Sequence, residues 1–322
     1  MPRLSDDAMV TVDCPGKVNL SLHISPRRAE WGNRHGLDTI YAGVDLMDTV
    51  TVTRRPRGTG PLLTMRGDHL DDWRGSDLDG NRNHAVRALE AMSVEAGLAN
   101  DVHIDIVKRI PIAAGLAGGS ADAAGVILAI NALWNLEWPL SHLRKVASSL
   151  GADMPFCLSG GIAHGGGYGE IITAVDPRGS DYRDLLDDGF LGTVLLGAYD
   201  EKLSTPDVYA AYDRLGAETG DANDLQRAAI ALHPRSGDAL RTALDHGARH
   251  AVVSGSGPTV AAFCPNDAVA DMLSDVWLTS HIVDYAILAH CPSSPSVHVD
   301  YPVRRESGMK DTVKPIMIAA RG

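Results

Sequence analysis

An alternating pattern of apolar and polar residues near the start of the chain predicts a half-buried β-strand at residues 17–24. The pattern has the period of two that arises when one face of a strand meets the core and the other does not. Its apolar positions are Val18, Leu20, Leu22 and Ile24. Lys17 and Asn19 fall on the opposite face, so their side chains are expected to lie next to each other. Similar apolar patterns predict strands at residues 40–44, 49–53, 102–107 and 191–198.

Apolar residues at helical spacing predict helices between these strands. The clearest are residues 83–96, which Gly97 ends, and a helix of small residues over 120–135. Residues 26–36 are predicted to form a loop, and the acidic segment 181–189 is predicted to form a solvated turn. Shorter helices are predicted at residues 207–215 and 225–232.

The order of these elements favours an α+β fold. Strands and helices are interleaved, but hairpin signals accompany the crossovers, which is unlike a doubly wound parallel sheet. Residues 160–169 hold six glycines, a composition typical of a loop between domains. The sequence therefore predicts an N-terminal domain over residues 1–164, a C-terminal domain over 165–300 and a mobile tail over 301–322.

The composition is that of a globular protein, and it narrows the choice of partners. Of the 322 residues, 44% are hydrophobic, and 29 Lys and Arg residues stand against 41 Asp and Glu residues, a net charge of -12. An acidic surface repels a phosphate backbone, so no nucleic-acid partner is expected. No apolar run reaches the ~20 residues of a membrane span, and the polar N-terminus is unlike a signal peptide. The four scattered cysteines are typical of buried thiols in a reducing compartment, which predicts a cytoplasmic protein.

The strongest chemical signal is the segment Ala-Gly-Leu-Ala-Gly-Gly-Ser-Ala-Asp-Ala-Ala at residues 114–124, between a predicted strand and a predicted helix. Tiny side chains let backbone N–H groups approach an anion, and a helix N-terminus adds further amides and a partial positive charge. The spacing matches neither the P-loop nor the dinucleotide-binding pattern. A phosphate site and a turn for tight helix packing both fit it, and the neighbouring Lys108 and Arg109 favour phosphate. A side chain at Gly118 is then expected to stand where the phosphate approaches.

Three further segments carry weaker signals. They are residues 15–20 with Lys17, residues 151–156 with Asp153, and the Ser-Gly-Ser-Gly-Pro-Thr run at 254–259. A single lysine on a strand is ordinarily a solvated edge residue. An aspartate after a helix end ordinarily forms a turn, and a short glycine run is ordinarily a hairpin turn.

In this order along the chain, the segments together resemble the motifs of the GHMP kinases, which phosphorylate sugars, homoserine and mevalonate. The matching segments are residues 15–19, 111–124 and 254–259, and the resemblance extends over most of residues 9–300. It implies a ribosomal-protein-S5-like N-terminal domain joined to a ferredoxin-like C-terminal domain. It also implies ATP as the phosphate donor, Mg²⁺ as the accompanying metal and a small alcohol as the acceptor.

The resemblance also implies roles for individual residues. Lys17 and Asp153 would flank the acceptor hydroxyl, with Asp153 as the base that takes its proton. Asn19 would position the substrate, and Ser120 would be the protein ligand of Mg²⁺. The residues expected to bind ATP, the first two of them at the adenine, are Asn83, Lys108, Pro111, Gly115, Leu116, Ala117, Gly118, Gly119, Ser120 and Ala121.

Finer features resemble the branch of the family that phosphorylates the 2-hydroxyl of cytidine diphosphate methylerythritol in the non-mevalonate isoprenoid route. His35 matches the histidine that reads the cytosine, and its imidazole can present one donor and one acceptor. Tyr41 and Tyr209 match aromatic positions beside that base. The full set of expected substrate-binding residues is Asn19, His35, Tyr41, Asp153, Thr205 and Tyr209.

One segment departs from that branch. This chain has Glu-Trp-Gly-Asn-Arg-His at residues 30–35, where the branch carries Asp-Gly-Tyr-His. The tyrosine that stacks on cytosine is thus replaced, and either the guanidinium of Arg34 or the ring of Trp31 is expected to substitute for it. Two other functions stay open, a kinase of the same fold for another small alcohol and a non-catalytic ligand sensor. Monomer and homodimer are both open.

Overall fold

The computed structural model of the protein describes residues 8–67 and 83–300. Its strands are β1 (Met9–Arg28), β2 (Arg34–Arg54), β3 (Leu62–Gly67), β4 (Val102–Lys108), β5 (Ile162–Gly166), β6 (Ile171–Ala174), β7 (Gly192–Ala198), β8 (His250–Val253), β9 (Val260–Phe263), β10 (Tyr285–Cys291) and β11 (Ser296–Asp300). Its α-helices are α1 (His84–Ala96), α2 (Gly118–Leu133), α3 (Leu140–Ser148), α4 (Met154–Cys157), α5 (Ser180–Asp187), α6 (Thr205–Leu215), α7 (Gln226–Leu232), α8 (Pro234–Asp245) and α9 (Asp267–Thr279).

Within the described residues, the larger of two sheets has seven strands in the order β11-β1-β2-β4-β3, with β5 paired to β2 and β6 paired to β5. Its centre is the long antiparallel pair of β1 and β2. A register shift between Pro15 and Gly16 interrupts this pairing immediately before Lys17. Such irregularities redirect the side chains that follow them, and this one lies at the first motif.

The prediction of a loop at residues 26–36 is wrong for about half of that segment. β1 continues to Arg28 and β2 begins at Arg34, so only the tip of a long hairpin is irregular. Gly32 and Asn33 have φ values of 64° and 62°, the left-handed conformation that turns the chain there. The segment lacks an apolar pattern because the hairpin tip projects from the sheet and is exposed.

The solvated turn predicted at residues 181–189 is also wrong, because most of this segment belongs to helix α5. Tyr182 and Leu185 of this helix pack against the main core. They are three positions apart and therefore share one helix face. The acidic residues around them occupy the exposed face and concealed the helical pattern.

Helix α2 packs against β1 and β2 within the main core. A β-carbon at Gly125 would lie 2.4 Å from Sγ of Cys14, so glycine permits this close approach. Cys14 is buried and free, as are the other three cysteines, so the prediction that these thiols are buried is confirmed. Because the body of α2 is buried, mainly its N-terminal turn is left to meet a ligand.

The second sheet has four strands in the order β10-β7-β9-β8, with helices between β7 and β8 and between β9 and β10. This is the ferredoxin-like arrangement, and the α+β prediction is confirmed. The boundary predicted between residues 164 and 165 falls inside β5, which pairs with β2, and β11 returns to the first sheet beside β1. We therefore propose that both strands belong to the first domain. The predicted tail at residues 301–322 lies outside the described residues.

Candidate active site

The first and third motif segments are both hydrogen-bonded to backbone carbonyls of the glycine loop. The N–H of Lys17 donates to the carbonyl of Leu116 over 3.0 Å, which joins the first motif to the glycine loop. The hydroxyl of Ser254 donates to the carbonyl of Gly115 over 3.0 Å, which joins the third motif to the same loop. Gly115 has φ +82°, and a β-carbon there would lie 2.3 Å from the Ser254 carbonyl oxygen. The contact therefore requires glycine at this position.

The predicted site residues line a single cleft of about 1290 Å³, with two exceptions. Leu116 and Ala121 are fully buried, because their side chains belong to the core beneath the glycine loop. The cleft extends from this loop, past Lys17 and Asp153, to the start of β2 and the N-terminus of α6. Its size is sufficient for two ligands, since pockets for single small molecules run ~300–1,000 Å³.

Lys17 and Asp153 face each other in this cleft. Nζ of Lys17 lies 3.8 Å from Oδ2 of Asp153, and the lysine side chain is 5% exposed against 34% for the aspartate. Asp153 stands at the N-terminus of α4 without capping it, so its carboxylate is directed to the cleft rather than to the helix. The arrangement places an accessible base beside a buried cation.

Asn19 fixes the position of Lys17, as the strand pattern predicted for two neighbours on one face. Nζ of Lys17 donates to Oδ1 of Asn19 over 2.7 Å, and the amide of Asn19 donates to Oγ1 of Thr39 over 2.8 Å. Asn19 is almost completely buried. Its amide is therefore engaged in holding the lysine, while the predicted contact with substrate stays a prediction.

Tyr41 lies beneath Asp153 and not in the ring cluster at His35. Its hydroxyl donates to Oδ1 of Asp153 over 3.2 Å, and its ring stacks on Phe156 at 4.9 Å between centroids. Burial, followed by the negative charge of Asp153, holds the pKa of Tyr41 well above its usual value. The phenol thus stays protonated and donates to the carboxylate. Tyr41 thus lines the cleft next to the candidate catalytic carboxylate, and its predicted position beside the nucleobase of the substrate stays a prediction.

The glycine loop leads into α2 through left-handed residues. Ala113 and Ala117 both have φ 56°, and Ala117 precedes the helix without any side-chain cap. The first amides of a helix have no intrahelical acceptor, so this N-terminus offers N–H donors to an anion in the cleft. The hydroxyl of Ser120, in the first turn of α2, is half-buried and lines the same cleft.

The prediction that a side chain at Gly118 would stand where the phosphate approaches is wrong. A β-carbon there would lie 3.1 Å from Cγ2 of Ile110 and 3.3 Å from Nζ of Lys108. It would therefore point into the packing beneath the loop and not into the space of a phosphate. Both interpretations of the loop apply at this residue, since glycine allows tight packing on one side and exposed amides on the other.

Lys108 is part of a buried ion cluster under the loop. Its Nζ donates to Asp48 and, over 2.7 Å, to Oδ2 of Asp122. Burial opposes the charge of Lys108, but the two carboxylates outweigh it and raise its pKa. Asp48 also accepts from the backbone N–H groups of Arg109 and Ile110, at 2.6 and 2.9 Å, and so anchors the entry to the loop. The positive charge of Lys108 is thus balanced by Asp48 and Asp122 of the protein itself. This differs from the expectation that Lys108 is available as a cation for phosphate.

The predicted adenine position Asn83 caps α1, because its side chain accepts from the N–H of Ala85 over 2.8 Å. The next residue, His84, lines the cleft and was not predicted. A β-carbon at Gly119 would lie 3.1 Å from its Nδ1. Burial lowers the pKa of His84, and the charge of Arg87 lowers it further, so the neutral imidazole is favoured beside the loop.

His35 and Tyr209 form a stacked pair at the far end of the cleft, with centroids 5.6 Å apart and planes 20° apart. Nδ1 of His35 lies 3.1 Å from the carbonyl of Ser25, and Nε2 lies 3.0 Å from Oδ1 of Asp213. Both ring nitrogens therefore face acceptors of the protein. The position of His35 beside Tyr209 agrees with the predicted grouping of these residues, and its recognition of a cytosine stays a prediction.

The third motif and α6 close the cleft between the two sheets. Oγ1 of Thr205, a predicted substrate residue, lies 2.9 Å from Oγ of Ser256. Asn223, which was not predicted, is completely buried and donates to the carbonyls of Val253 and Gly255 at 2.7 and 2.8 Å. No sequence motif surrounds Asn223, so the residue is recognisable only from these contacts.

Comparison with known proteins agrees with this geometry. Family models for the N terminal and C terminal domains of GHMP kinases match residues 83–161 and 209–281. A 4-diphosphocytidyl-2-C-methyl-D-erythritol kinase of Bifidobacterium adolescentis is 53% identical over 290 residues, which cover 90% of this chain and 94% of that protein. The chain belongs to the GHMP kinase family. It is thus an ATP-dependent kinase of a small molecule.

Solved structures of GHMP kinases share the fold. A crystal structure of 4-(cytidine 5'-diphospho)-2C-methyl-D-erythritol kinase has a TM-score of 0.67 and 26% identity, and covers 88% of this chain and 99% of its own. A homoserine kinase structure from Cytophaga hutchinsonii has a TM-score of 0.66 at 18% identity, covering 92% and 99%. The second match shows that the fold alone does not distinguish the acceptor alcohol. No helix within residues 8–67 and 83–300 is long and apolar enough to cross a membrane.

In this GHMP kinase, the segment that departs from the family pattern has an aromatic neighbour that the sequence did not indicate. Cζ of Arg34 lies 4.7 Å from the ring centroid of Tyr168, and the Trp31 ring meets that tyrosine edge-on at 6.3 Å. Arg34 and Tyr168 line the cleft, whereas Trp31 is not among its lining residues. The sequence signal that could have identified Tyr168 is that it is the one aromatic residue in the glycine-rich segment 160–169.

Proposed function

We propose that the protein transfers the γ-phosphate of ATP to the 2-hydroxyl of 4-diphosphocytidyl-2-C-methyl-D-erythritol, a step of the non-mevalonate (MEP) route to isoprenoid precursors. The observation that carries the proposal is the Lys17–Asp153 pair, 3.8 Å apart, between an uncapped helix N-terminus and a cluster of rings. The names of the relatives support the choice of acceptor.

The chemistry follows from the residue types. Phosphoryl transfer has a loose transition state, so catalysis depends on positioning and on neutralising charge. Asp153 accepts the proton of the attacking hydroxyl, and Tyr41 holds its carboxylate in place. Lys17 stabilises the negative charge that develops beside it. Its own position is fixed by Asn19.

The glycine loop would bind the triphosphate through the first amides of α2. Mg²⁺ bound to the phosphates would neutralise part of their charge. The hydroxyl of Ser120 fits as its protein ligand, since it lines the cleft in the uncapped first turn of α2. The described residues include no group of three or more metal-binding side chains, which agrees with an ion that keeps most of its waters.

An ADP-release assay over a panel of alcohols tests the proposal. The panel contains 4-diphosphocytidyl-2-C-methyl-D-erythritol, homoserine and mevalonate, each with saturating ATP and Mg²⁺. We expect ADP release with the cytidine compound only, and ~10²-fold slower release from an Asp153→Asn control. Release with homoserine or mevalonate instead would identify a kinase of another alcohol. ATP binding without release for any alcohol would identify a ligand sensor.

A further inference from the structure

Tyr168 occupies a fixed position at the turn between β5 and β6. Gly167 and Gly169, with φ +70° and +111°, flank it in left-handed conformations. The N–H of Tyr168 donates to Oε2 of Glu170 over 2.7 Å, and the N–H of Leu37 in β2 donates to the carbonyl of Gly167 over 2.9 Å. The turn is thereby attached to β2, the strand in which Arg34 and His35 lie.

The ring of Tyr168 supports the side chain of Arg34. The guanidinium carbon lies 4.7 Å from the ring centroid, the distance of a cation–π contact. Tyr168 is half-buried whereas Arg34 is exposed, so the guanidinium is the outer layer of this pair. The Trp31 ring lies beside Tyr168 in an edge-type contact, with 64° between the ring planes and 6.3 Å between their centroids.

The side chain of an exposed arginine ordinarily loses its conformational freedom only at a cost in entropy. A guanidinium seated on a ring has already lost part of that freedom, and its outer face can then stack on a nucleobase. The stacked His35 and Tyr209 lie in the same cleft, and His35 is the immediate neighbour of Arg34. The start of β2 is therefore surrounded by flat surfaces of the kind that bases bind.

We propose that Tyr168 is a positioning residue that holds the guanidinium of Arg34 flat, and that Arg34 stacks on the nucleobase of the acceptor substrate. This inference rests on the proposed function, because only an acceptor with a base would use the surface. ATP binds at the glycine loop, so the pair affects the acceptor and not the donor.

A double-mutant cycle with Arg34→Ala and Tyr168→Leu tests the proposal, since leucine keeps bulk but removes the flat ring. We expect each single change to raise the KM for 4-diphosphocytidyl-2-C-methyl-D-erythritol by about tenfold, a typical effect of losing one stacking partner. The double variant should be no worse than the weaker single variant, because both changes disrupt one stack. The kcat and the KM for ATP should stay within about twofold. Tyr168→Phe should restore the wild-type KM.

The controls separate this inference from the proposed function. Tyr285→Ala removes a tyrosine of β10 that does not line the cleft and should leave all constants unchanged. If the wild-type protein does not phosphorylate the cytidine compound, the proposed function fails. If it does, an unchanged KM in either single variant or additive effects in the double variant would overturn the Tyr168 inference. Melting curves show that each variant is folded.

Discussion

Gly255 approaches Lys17 so closely that a β-carbon at this glycine would lie 3.0 Å from Nζ of the lysine. The same β-carbon would lie 3.2 Å from Oδ1 of Asn19, the acceptor that holds the lysine. The third motif is therefore in close contact with the ammonium group of Lys17 and with the amide that holds it. No larger residue fits there without moving the ammonium group.

Gly255→Ala should reduce kcat by up to about tenfold, because the ammonium group must shift by a few tenths of an ångström to admit the β-carbon, and a shift of about 1 Å can cost about 100-fold. Steady-state kinetics measure the effect. Gly97→Ala is a matched control, since Gly97 has φ +63° against +56° for Gly255 but no atom within 4 Å of its β-carbon position. Equal losses in both variants would attribute the effect to backbone strain and not to Lys17.

Asp153→Asn should lower kcat by ~10²-fold or more, because the amide keeps the shape of the carboxylate but cannot take the proton. The dissociation constant for ATP, measured by calorimetry, should change little. Asp184→Asn in the exposed helix α5 serves as the control and should behave as the wild type. Near-normal turnover of the Asp153 variant would exclude this residue as the base.

Gly118→Val should lower the melting temperature, because the added carbons meet Ile110 and Lys108 beneath the loop. Overpacking of this kind costs ~1–3 kcal/mol of unfolding free energy. Gly166→Val is the control, since no atom lies within 4 Å of its β-carbon position and its φ is not left-handed. A weakened affinity for ATP with an unchanged melting temperature would contradict the packing role.

Stability should depend on the protonation of Asp122. Burial raises the pKa of Asp122 from 3.8 to about 7, against the opposing charge of Lys108 and with the added repulsion of Asp48. Between these pH values the folded chain holds a proton that the unfolded chain has released. The free energy of unfolding therefore receives from Asp122 a contribution that declines as the pH rises towards and through 7.

Urea unfolding of the wild type and of Asp122→Asn at several pH values from 5 to 8 checks this sign. The asparagine does not titrate, so the variant should gain stability relative to the wild type as the pH rises. The difference between the proteins is the informative quantity, because His84 and His233 have lowered pKa values and contribute in the opposite direction. A difference that is constant over this range would refute the prediction.

Local patterns allowed much of the site to be predicted. The alternation in β1 placed Lys17 beside Asn19, and tiny residues located the loop before α2. The roles of Lys108 and Tyr168 depend instead on partners brought from other elements, Asp48 from β2 and Arg34 from the start of the same strand. A glycine-rich segment gives no periodicity, so β5 and its turn were interpreted as a boundary between domains.

The return of the chain to the first sheet at β11 gives the second domain two covalent connections to the first. The N–H of Ser293, just before β11, donates to the carbonyl of Gly43 over 2.8 Å, and its own carbonyl accepts from Gly161 over 2.7 Å. The returning connection is thereby attached to β2 and to the segment before β5. Any movement of one sheet relative to the other must therefore be absorbed by both connecting segments at once.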